Sequence, residues 1–138
     1  MSERYVVDLA EVGAKDTGLV GGKNASLGEM IGNLGAAGIR VPDGFATTAD
    51  AYWAFLDGSG LRDEIAARLQ RLDRGEAELA EVGGSIRELI LGADFPAELR
   101  AAIEGAYRRL AERSGVEGPT VAVRSSATAE DLPQASFA

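Results

Sequence analysis

Most apolar residues of this chain recur at intervals of three and four, the spacing that places side chains on one face of a helix. Five stretches between residues 24 and 115 show this spacing. Short apolar runs that suit strands occur at residues 5–7, 45–47 and 120–123. The pattern predicts a helix-rich α+β fold, and because no repeat or linker interrupts it, we expect residues 1–138 to form one domain.

The first predicted helix spans residues 24–37. Asn24 is a suitable N-cap, and Ser26 with Glu29 has the spacing of a capping box, so either residue can mark the start. A glycine at position 35 or 38 would end the helix. Its apolar positions i, i+3, i+4 and i+7 predict one buried face, consisting of Leu27, Met30, Ile31 and Leu34.

The later helices are bounded by cap and turn residues. Thr47 or Thr48 would cap the second helix, residues 57–60 would close it, Pro96 suits the first turn of the last helix, and Gly115 is its predicted C′ residue. We expect the aromatic residues of the second helix to lie in the core rather than to form a platform for a base. The four apolar stripes are Tyr52, Trp53, Phe55 and Leu56; Leu61, Ile65, Leu69 and Leu72; Leu79, Val82, Ile86, Leu89 and Ile90; and Leu99, Ile103, Tyr107 and Leu110.

Composition narrows the classes of function. The net charge of -8 offers no basic face for nucleic acid. The chain has no cysteine for disulfides or thiolate metal sites, and no histidine, so imidazole-based acid–base or phosphoryl-carrier chemistry would need a group elsewhere. Charged residues interrupt the first twenty positions, and no run approaches the roughly 18 apolar residues of a membrane span. We therefore expect a cytoplasmic protein with neither a nucleic-acid nor a membrane partner.

Residues 21–30, with the sequence GGKNASLGEM, combine the features that favour phosphate binding. Two glycines deliver Lys23 to the start of the first predicted helix, where unpaired N–H groups and the helix dipole attract an anion. The lysine stem is long enough to reach a terminal phosphate, although the Walker A pattern is absent. The alternative interpretation is a glycine turn and a capped helix with an exposed lysine.

A second anion-binding candidate follows the apolar run at 120–123. The run ends on Arg124, whose guanidinium can present two parallel N–H groups to phosphate oxygens. Ser125, Ser126 and Thr128 add hydroxyls and loop amides beside it. The alternative is an ion pair between this arginine and an acidic residue of the same surface loop.

Glu130 and Asp131 are the acidic residues of that loop. Carboxylates are suitable ligands for magnesium, but adjacent acidic residues in a loop are usually solvated or act as caps. We therefore predict no metal ligand among the residues of this chain.

Three blocks of the chain, in this order, carry a family resemblance: residues 21–30, residues 41–52 (VPDGFATTADAY) and residues 122–133 (AVRSSATAEDLP). They resemble the N-terminal part of the phosphoenolpyruvate synthases, or pyruvate, water dikinases. The wider family includes the pyruvate phosphate dikinases and the rifampin phosphotransferases. The resemblance implies the N-terminal portion of an ATP-grasp ATP-binding domain, in which the residues matching Lys23 and Arg124 contact the phosphates of ATP.

The same resemblance implies an activity that needs more than this chain. In the family, a phosphoryl group passes from ATP to a histidine on a central domain and then, with Mg²⁺, to pyruvate in a barrel domain. The chain ends at residue 138, where the family continues, and Gln134 stands where an acidic residue is expected. We therefore expect a fragment that is inactive alone, with ATP as its ligand and with the magnesium and pyruvate sites elsewhere.

Two other functions stay open at this stage. A rifampin-type phosphotransferase would share the same ATP-binding segment and use another acceptor. A non-catalytic binding module would dock through an exposed strand edge at 120–123 and the apolar end at Phe137. The oligomeric state is open in all three cases.

Overall fold

The computed structural model describes residues 4–35, 37–38 and 40–128. The chain divides into two compact units, Met1–Ala51 with Ala101–Ala138, and Tyr52–Arg100. Helices dominate both units, and the strands in the described residues form one two-stranded sheet. The predicted α+β class is therefore confirmed, whereas the assignment of residues 1–138 to one domain stays a prediction.

The elements follow the predicted order. They are β1 (Val6–Asp8), α1 (Thr17–Val20), α2 (Gly22–Leu34), β2 (Phe45–Thr47), α3 (Ala49–Gly58), α4 (Leu61–Asp73), α5 (Leu79–Gly92) and α6 (Ala97–Ser114). Two 3₁₀ turns, Leu9–Glu11 and Ala14–Asp16, and helix α1 lie between β1 and α2, where the apolar pattern predicts neither helix nor strand. Such short elements carry no readable periodicity, because they span little more than one turn.

The sheet and the core of the first unit are built from short elements. β1 and β2 pair antiparallel, with Val7 opposite Ala46, and both side chains are buried. Leu27 and Ile31 of α2 pack against the edge of this core. Its buried members are Val7, Leu9, Val12, Val20, Ala25 and Ala46.

Helix α2 buries a different face from the one that its large apolar residues predict. Met30 is 39% exposed, and the other three residues of the predicted face are half-buried. The buried residues are Gly22, Ala25 and Gly28, spaced three apart. A Cβ at Gly28 would lie 2.7 Å from the carbonyl oxygen of Leu9. The prediction of the buried face is therefore right only in part. Leu27 and Ile31 contact the core, but the fully buried residues are small ones, which let the helix backbone approach the 3₁₀ turn more closely than any large side chain permits.

Two predicted caps are confirmed. The Thr48 hydroxyl accepts a hydrogen bond from Ala51 N at 3.2 Å, as an N-cap of α3 does. Gly115 follows α6 with a φ of 70°, and its N–H donates to the carbonyl of Glu112 at 3.3 Å. Val116 N donates to the carbonyl of Ala111, which completes the Schellman motif.

In the second unit, α4 and α5 pack against each other. Leu61 and Val82 are buried, as their stripes predict, but Leu69 and Leu79 are exposed. Leu69 lies at the angular edge of its stripe and Leu79 is the first residue of α5, positions that the facing helix of a packed pair covers least.

Of the three aromatic residues of α3, Phe55 is half-buried and packs against Phe95, but the other two do not lie in the predicted core. Leu56 is buried, whereas Tyr52 and Trp53 are exposed and pack edge to face. On the helix they flank Leu56 on opposite sides, so a narrow buried strip leaves both rings at its edges. The Arg62 guanidinium lies 4.2 Å from the centroid of the Trp53 ring, a cation–π contact.

The predicted strand at 120–123 is also wrong. These residues belong to no strand, and Val123 is 93% exposed. A strand needs a neighbour to satisfy its backbone groups, and within the described residues the only ladder joins β1 to β2. The exposed strand edge on which a docking function was based is therefore absent, and Phe137 lies outside the described residues.

A membrane-crossing segment was not expected. Across the part of the chain that the structure describes, no helix combines the length and the apolar character that a bilayer span requires.

Candidate functional site

The start of α2 lies directly against the loop that follows Arg124. Gly22 N donates a hydrogen bond to the carbonyl oxygen of Ala127 at 3.1 Å. Asn24 N donates to the Ser126 hydroxyl at 3.2 Å, across 102 positions of sequence. The structure thus brings together the two segments that were predicted separately as phosphate-binding elements.

Gly21 makes this close approach possible. Its φ is 85°, a conformation that favours glycine. A Cβ at this position would collide with the Ser126 hydroxyl and lie 2.7 Å from the Ser126 carbonyl carbon. Any larger residue at position 21 would therefore push the loop away from the helix.

The predicted local caps of α2 are wrong. Asn24 lies inside the helix, and its side-chain amide donates to the carbonyl of Val20 at 3.0 Å. Ser26 also lies inside the helix, and the Glu29 carboxylate accepts hydrogen bonds from Ala14 N at 2.9 Å and from the Asn33 side chain at 3.2 Å. The acceptor of the N-terminal amides comes instead from a distant loop, which no local pattern can reveal.

The expectation of unpaired amide donors also needs correction. Gly22 and Asn24 are the first and third residues of α2, and both N–H groups already donate to the 126–127 loop. The Ser126 hydroxyl takes the role that an N-cap side chain usually has. These two amides therefore hold the loop, so phosphate binding at this helix end would depend on side chains and on the helix dipole.

The two candidate cations lie on the joined segments. Lys23 is exposed in the first turn of α2, between the two amides that hold the loop. Arg124 is exposed two residues before Ser126. Ser125 and Thr128 are also exposed, whereas Ser126 is half-buried. The structure thus places a lysine, an arginine and three hydroxyl-bearing residues on two segments that meet at one helix end, a composition that suits a multiply charged anion.

Metal binding is not supported within the described residues. No cluster of three or more Asp, Glu, His or Cys side chains occurs there that could hold a cation. Glu130 and Asp131 lie outside the described residues, together with the proposed ion pair between either of them and Arg124.

Arg113 forms an ion-pair cluster that the sequence analysis missed. Its Nε donates to Asp43 at 2.8 Å, and its Nη1 lies 3.6 Å from an Asp8 carboxylate oxygen. The hydrogen bond to Asp43 raises the pKa of Arg113, with further contributions from the charges of Asp43 and Asp8. Asp43 belongs to the second block of the family resemblance, residues 41–52, so at least this residue of the block forms an ion pair rather than a contact with the phosphate-binding candidates.

One pattern could have revealed the close approach at α2. Gly22, Ala25 and Gly28 recur every third residue, and such small residues permit backbone contact. The larger apolar residues on the neighbouring face gave a stronger hydrophobic signal. The partner of Gly21 had no comparable signal, since Ser126 is one hydroxyl among several in its loop.

Comparisons with known proteins support the nucleotide interpretation. The family model "Pyruvate phosphate dikinase, AMP/ATP-binding domain" matches residues 17–138. The phosphoenolpyruvate synthase of Neisseria meningitidis serogroup B is 53% identical over 139 residues, which covers 100% of this chain and 18% of the relative. The corresponding protein of Pseudomonas aeruginosa is 56% identical over 135 residues, 97% of this chain and 17% of the relative. That of Escherichia coli K12 is 50% identical over 138 residues, which covers 99% of this chain and 17% of the relative. The chain thus spans less than a fifth of the length of these relatives.

Proposed function

Because the chain belongs to the family of pyruvate phosphate dikinase AMP/ATP-binding domains, we propose that it forms one wall of the ATP site of a phosphoenolpyruvate synthase. The proposed overall reaction converts ATP, pyruvate and water to AMP, phosphoenolpyruvate and phosphate. The proposal includes an ATP-grasp fold, of which residues 1–138 would be the N-terminal part. The observation that carries it is the pair of hydrogen bonds from Gly22 and Asn24 to the 126–127 loop, which joins the segments of Lys23 and Arg124.

Lys23 and Arg124 have the proposed role of binding and orienting the phosphates. Phosphoryl transfer depends mainly on positioning and on neutralising charge at the phosphate oxygens. An exposed lysine acts as a flexible point charge, whereas arginine can bind two oxygens at once. Together they would hold the phosphate chain at the positive end of the α2 dipole.

The hydroxyls have the proposed role of completing the phosphate contacts. Ser125 and Thr128 are exposed and can donate directly. Ser126 differs from both, because it is half-buried and its hydroxyl accepts the hydrogen bond from Asn24 N.

The remaining steps of the proposed reaction need groups outside the described residues. The chain contains no histidine, so a phosphohistidine carrier would belong to another part of the full-length protein. Mg²⁺ would supply charge neutralisation between the phosphates when bound. The described residues offer no cluster of ligands for it, so we derive no step that uses a metal on this part of the chain.

The test compares variants of the full-length protein. We expect Lys23→Ala and Arg124→Ala each to weaken ATP binding roughly ten-fold or more, since each removes a charge-assisted contact. Isothermal titration calorimetry measures the affinity, and ATP-dependent phosphoenolpyruvate formation measures turnover.

The matched controls remove the same charges elsewhere. Lys15 is an exposed lysine in the turn before α1, and Arg108 is an exposed arginine on α6. Lys15→Ala and Arg108→Ala should bind ATP as the unmodified protein does. Unchanged affinity and turnover in both Lys23→Ala and Arg124→Ala would refute the proposed site.

A further inference from the structure

We infer that Ser126 is a positioning residue, which anchors the Arg124 segment to the helix that carries Lys23. The inference rests on the proposed function and deepens it. In this inference, the Ser126 hydroxyl determines where Arg124 lies relative to Lys23. Ser126 then acts on the phosphates chiefly through Arg124.

The first argument is the hydrogen bonding at the end of α2. The N-terminal amides of a helix need acceptors, and here the loop supplies them to the first and third residues. The Ser126 hydroxyl accepts from Asn24 N at 3.2 Å, and the adjacent Ala127 carbonyl accepts from Gly22 N at 3.1 Å. The same contacts that cap the helix therefore fix the loop.

The second argument is steric and independent of the first. Gly21 adopts a φ of 85°, and the space that its side chain would occupy is filled by Ser126. Gly21 and Ser126, 105 positions apart in sequence, are thus in direct steric contact, and only a residue without a side chain at position 21 permits it.

The third argument concerns what else holds Arg124. On the N-terminal side, the Tyr107 hydroxyl donates to the carbonyl of Pro119 at 2.6 Å. Residues 120–125 belong to no helix or strand, and Val123 is exposed. Arg124 therefore lies between an anchor at Pro119 and an anchor at Ser126, and Ser126 is much the nearer in sequence.

Loss of the anchor has a measurable consequence. When only part of the population holds a loop in the binding-competent position, the apparent affinity falls by that fraction. Removal of an N-cap side chain typically changes such an equilibrium about five-fold. We therefore expect Ser126→Ala to raise the Kd for ATP by up to about five-fold in the full-length protein, the full factor being reached when the loop already leaves this position often in the unmodified protein.

The decisive experiment is a double-mutant cycle for ATP binding, measured by calorimetry on the full-length protein. It compares the unmodified protein, Ser126→Ala, Arg124→Ala and the double variant. If Ser126 works through Arg124, Ser126→Ala should change the Kd less than about two-fold once Arg124 is absent. Ser126→Thr keeps the hydroxyl and should restore most of the affinity.

Controls separate positioning from a general loss of structure. Ser114→Ala removes a hydroxyl that donates to the Ala111 carbonyl at the end of α6, and should leave ATP binding unchanged. Gly21→Ala should weaken ATP binding at least as much as Ser126→Ala, because it displaces the loop. Gly18→Ala is its matched control, since a Cβ there meets no atom within 4 Å.

The outcomes are distinguishable. An equal loss from Ser126→Ala with and without Arg124 would mean a direct phosphate contact, and would overturn the inference. Unchanged affinity in Ser126→Ala, with strong losses in Lys23→Ala and Arg124→Ala, would also overturn it while leaving the proposed function intact. Unchanged affinity in all three variants would refute the proposed function and the inference together.

Discussion

The two compact units bury their helices in different ways. In the first, α2 turns Gly22, Ala25 and Gly28 inward and packs backbone against backbone. In the second, α4 and α5 bury Leu61 and Val82 and leave many aliphatic side chains in solvent. Backbone contact leaves little freedom for adjustment, whereas side chains can repack. Close backbone packing thus occurs in the helix whose first turn bonds the loop at residues 126–127.

The largest expected effect tests packing by side-chain volume in the second unit. Leu61→Ala should lower the free energy of unfolding by about 3 kcal/mol, because it leaves a cavity at a buried position. Leu91→Ala, at a residue that is 85% exposed on α5, should change it by less than about 0.5 kcal/mol. Urea denaturation measures both. Equal losses in the two variants would contradict the division between inner and outer faces.

A somewhat smaller effect tests the glycine face of α2. Gly28→Ala should cost about 2 kcal/mol, because the new Cβ collides with the carbonyl oxygens of Val12 and Leu9. Gly32 lies in the same helix, and a Cβ there meets nothing within 4 Å. Gly32→Ala should instead stabilise the protein by up to about 1 kcal/mol through helix propensity. Thermal unfolding measures both variants. A lower melting temperature for Gly28→Ala and a higher one for Gly32→Ala would confirm that only the first position packs backbone against backbone, and a higher melting temperature in both would refute it.

The smallest effect tests the ion pairs that Arg113 forms in the first unit. Arg113→Ala removes the contacts to Asp43 and Asp8 and should cost no more than about 1 kcal/mol, since its side chain is partly exposed and screened. Arg108→Ala, which breaks a longer and more exposed pair with Glu104, should cost nothing measurable. High salt should reduce the difference in unfolding free energy between the two variants, because it screens both ion pairs. A cost of several kcal/mol for Arg113→Ala would show that ion pairs outweigh the glycine contacts in this unit.

The sign of the pH dependence follows from the raised pKa of Arg113. A cation whose pKa is higher in the folded state contributes stability at every pH below its value in the unfolded state. That contribution is lost only as the pH rises through the still higher folded value, in the strongly alkaline range. Deprotonation of Arg113 should therefore not make stability depend on pH near neutrality.

Prediction from sequence succeeded where the deciding interactions are local. The Thr48 cap and the Gly115 end of α6 involve residues at most five positions apart, so the chain carries their signals in one short window. The order of strands and amphipathic helices follows from periodicity in the same way. The two segments that the structure brings together could also be singled out from the sequence, because glycine, lysine and arginine stand out at helix and loop boundaries, while their phosphate-binding role stays a prediction.

The failures share one physical cause. Periodicity shows which residues lie on one face of a helix, but not which neighbour comes to that face or how closely. The large residues of α2 therefore gave no sign of the fully buried face of small residues beside them, and Tyr52 and Trp53 were assigned to a core too narrow to hold them. Val121 and Val123 have strand propensity, yet within the described residues no partner strand satisfies their backbone groups.

The sequence by itself determined the helix-rich α+β class, the order of the elements and the identity of the two candidate cations. Only the tertiary structure decided that Ser126 caps α2 and that Gly21 makes room for it. The physical reason is distance along the chain. A cap supplied from 102 residues away depends on the packing of the whole first unit, whereas local propensity depends only on adjacent residues.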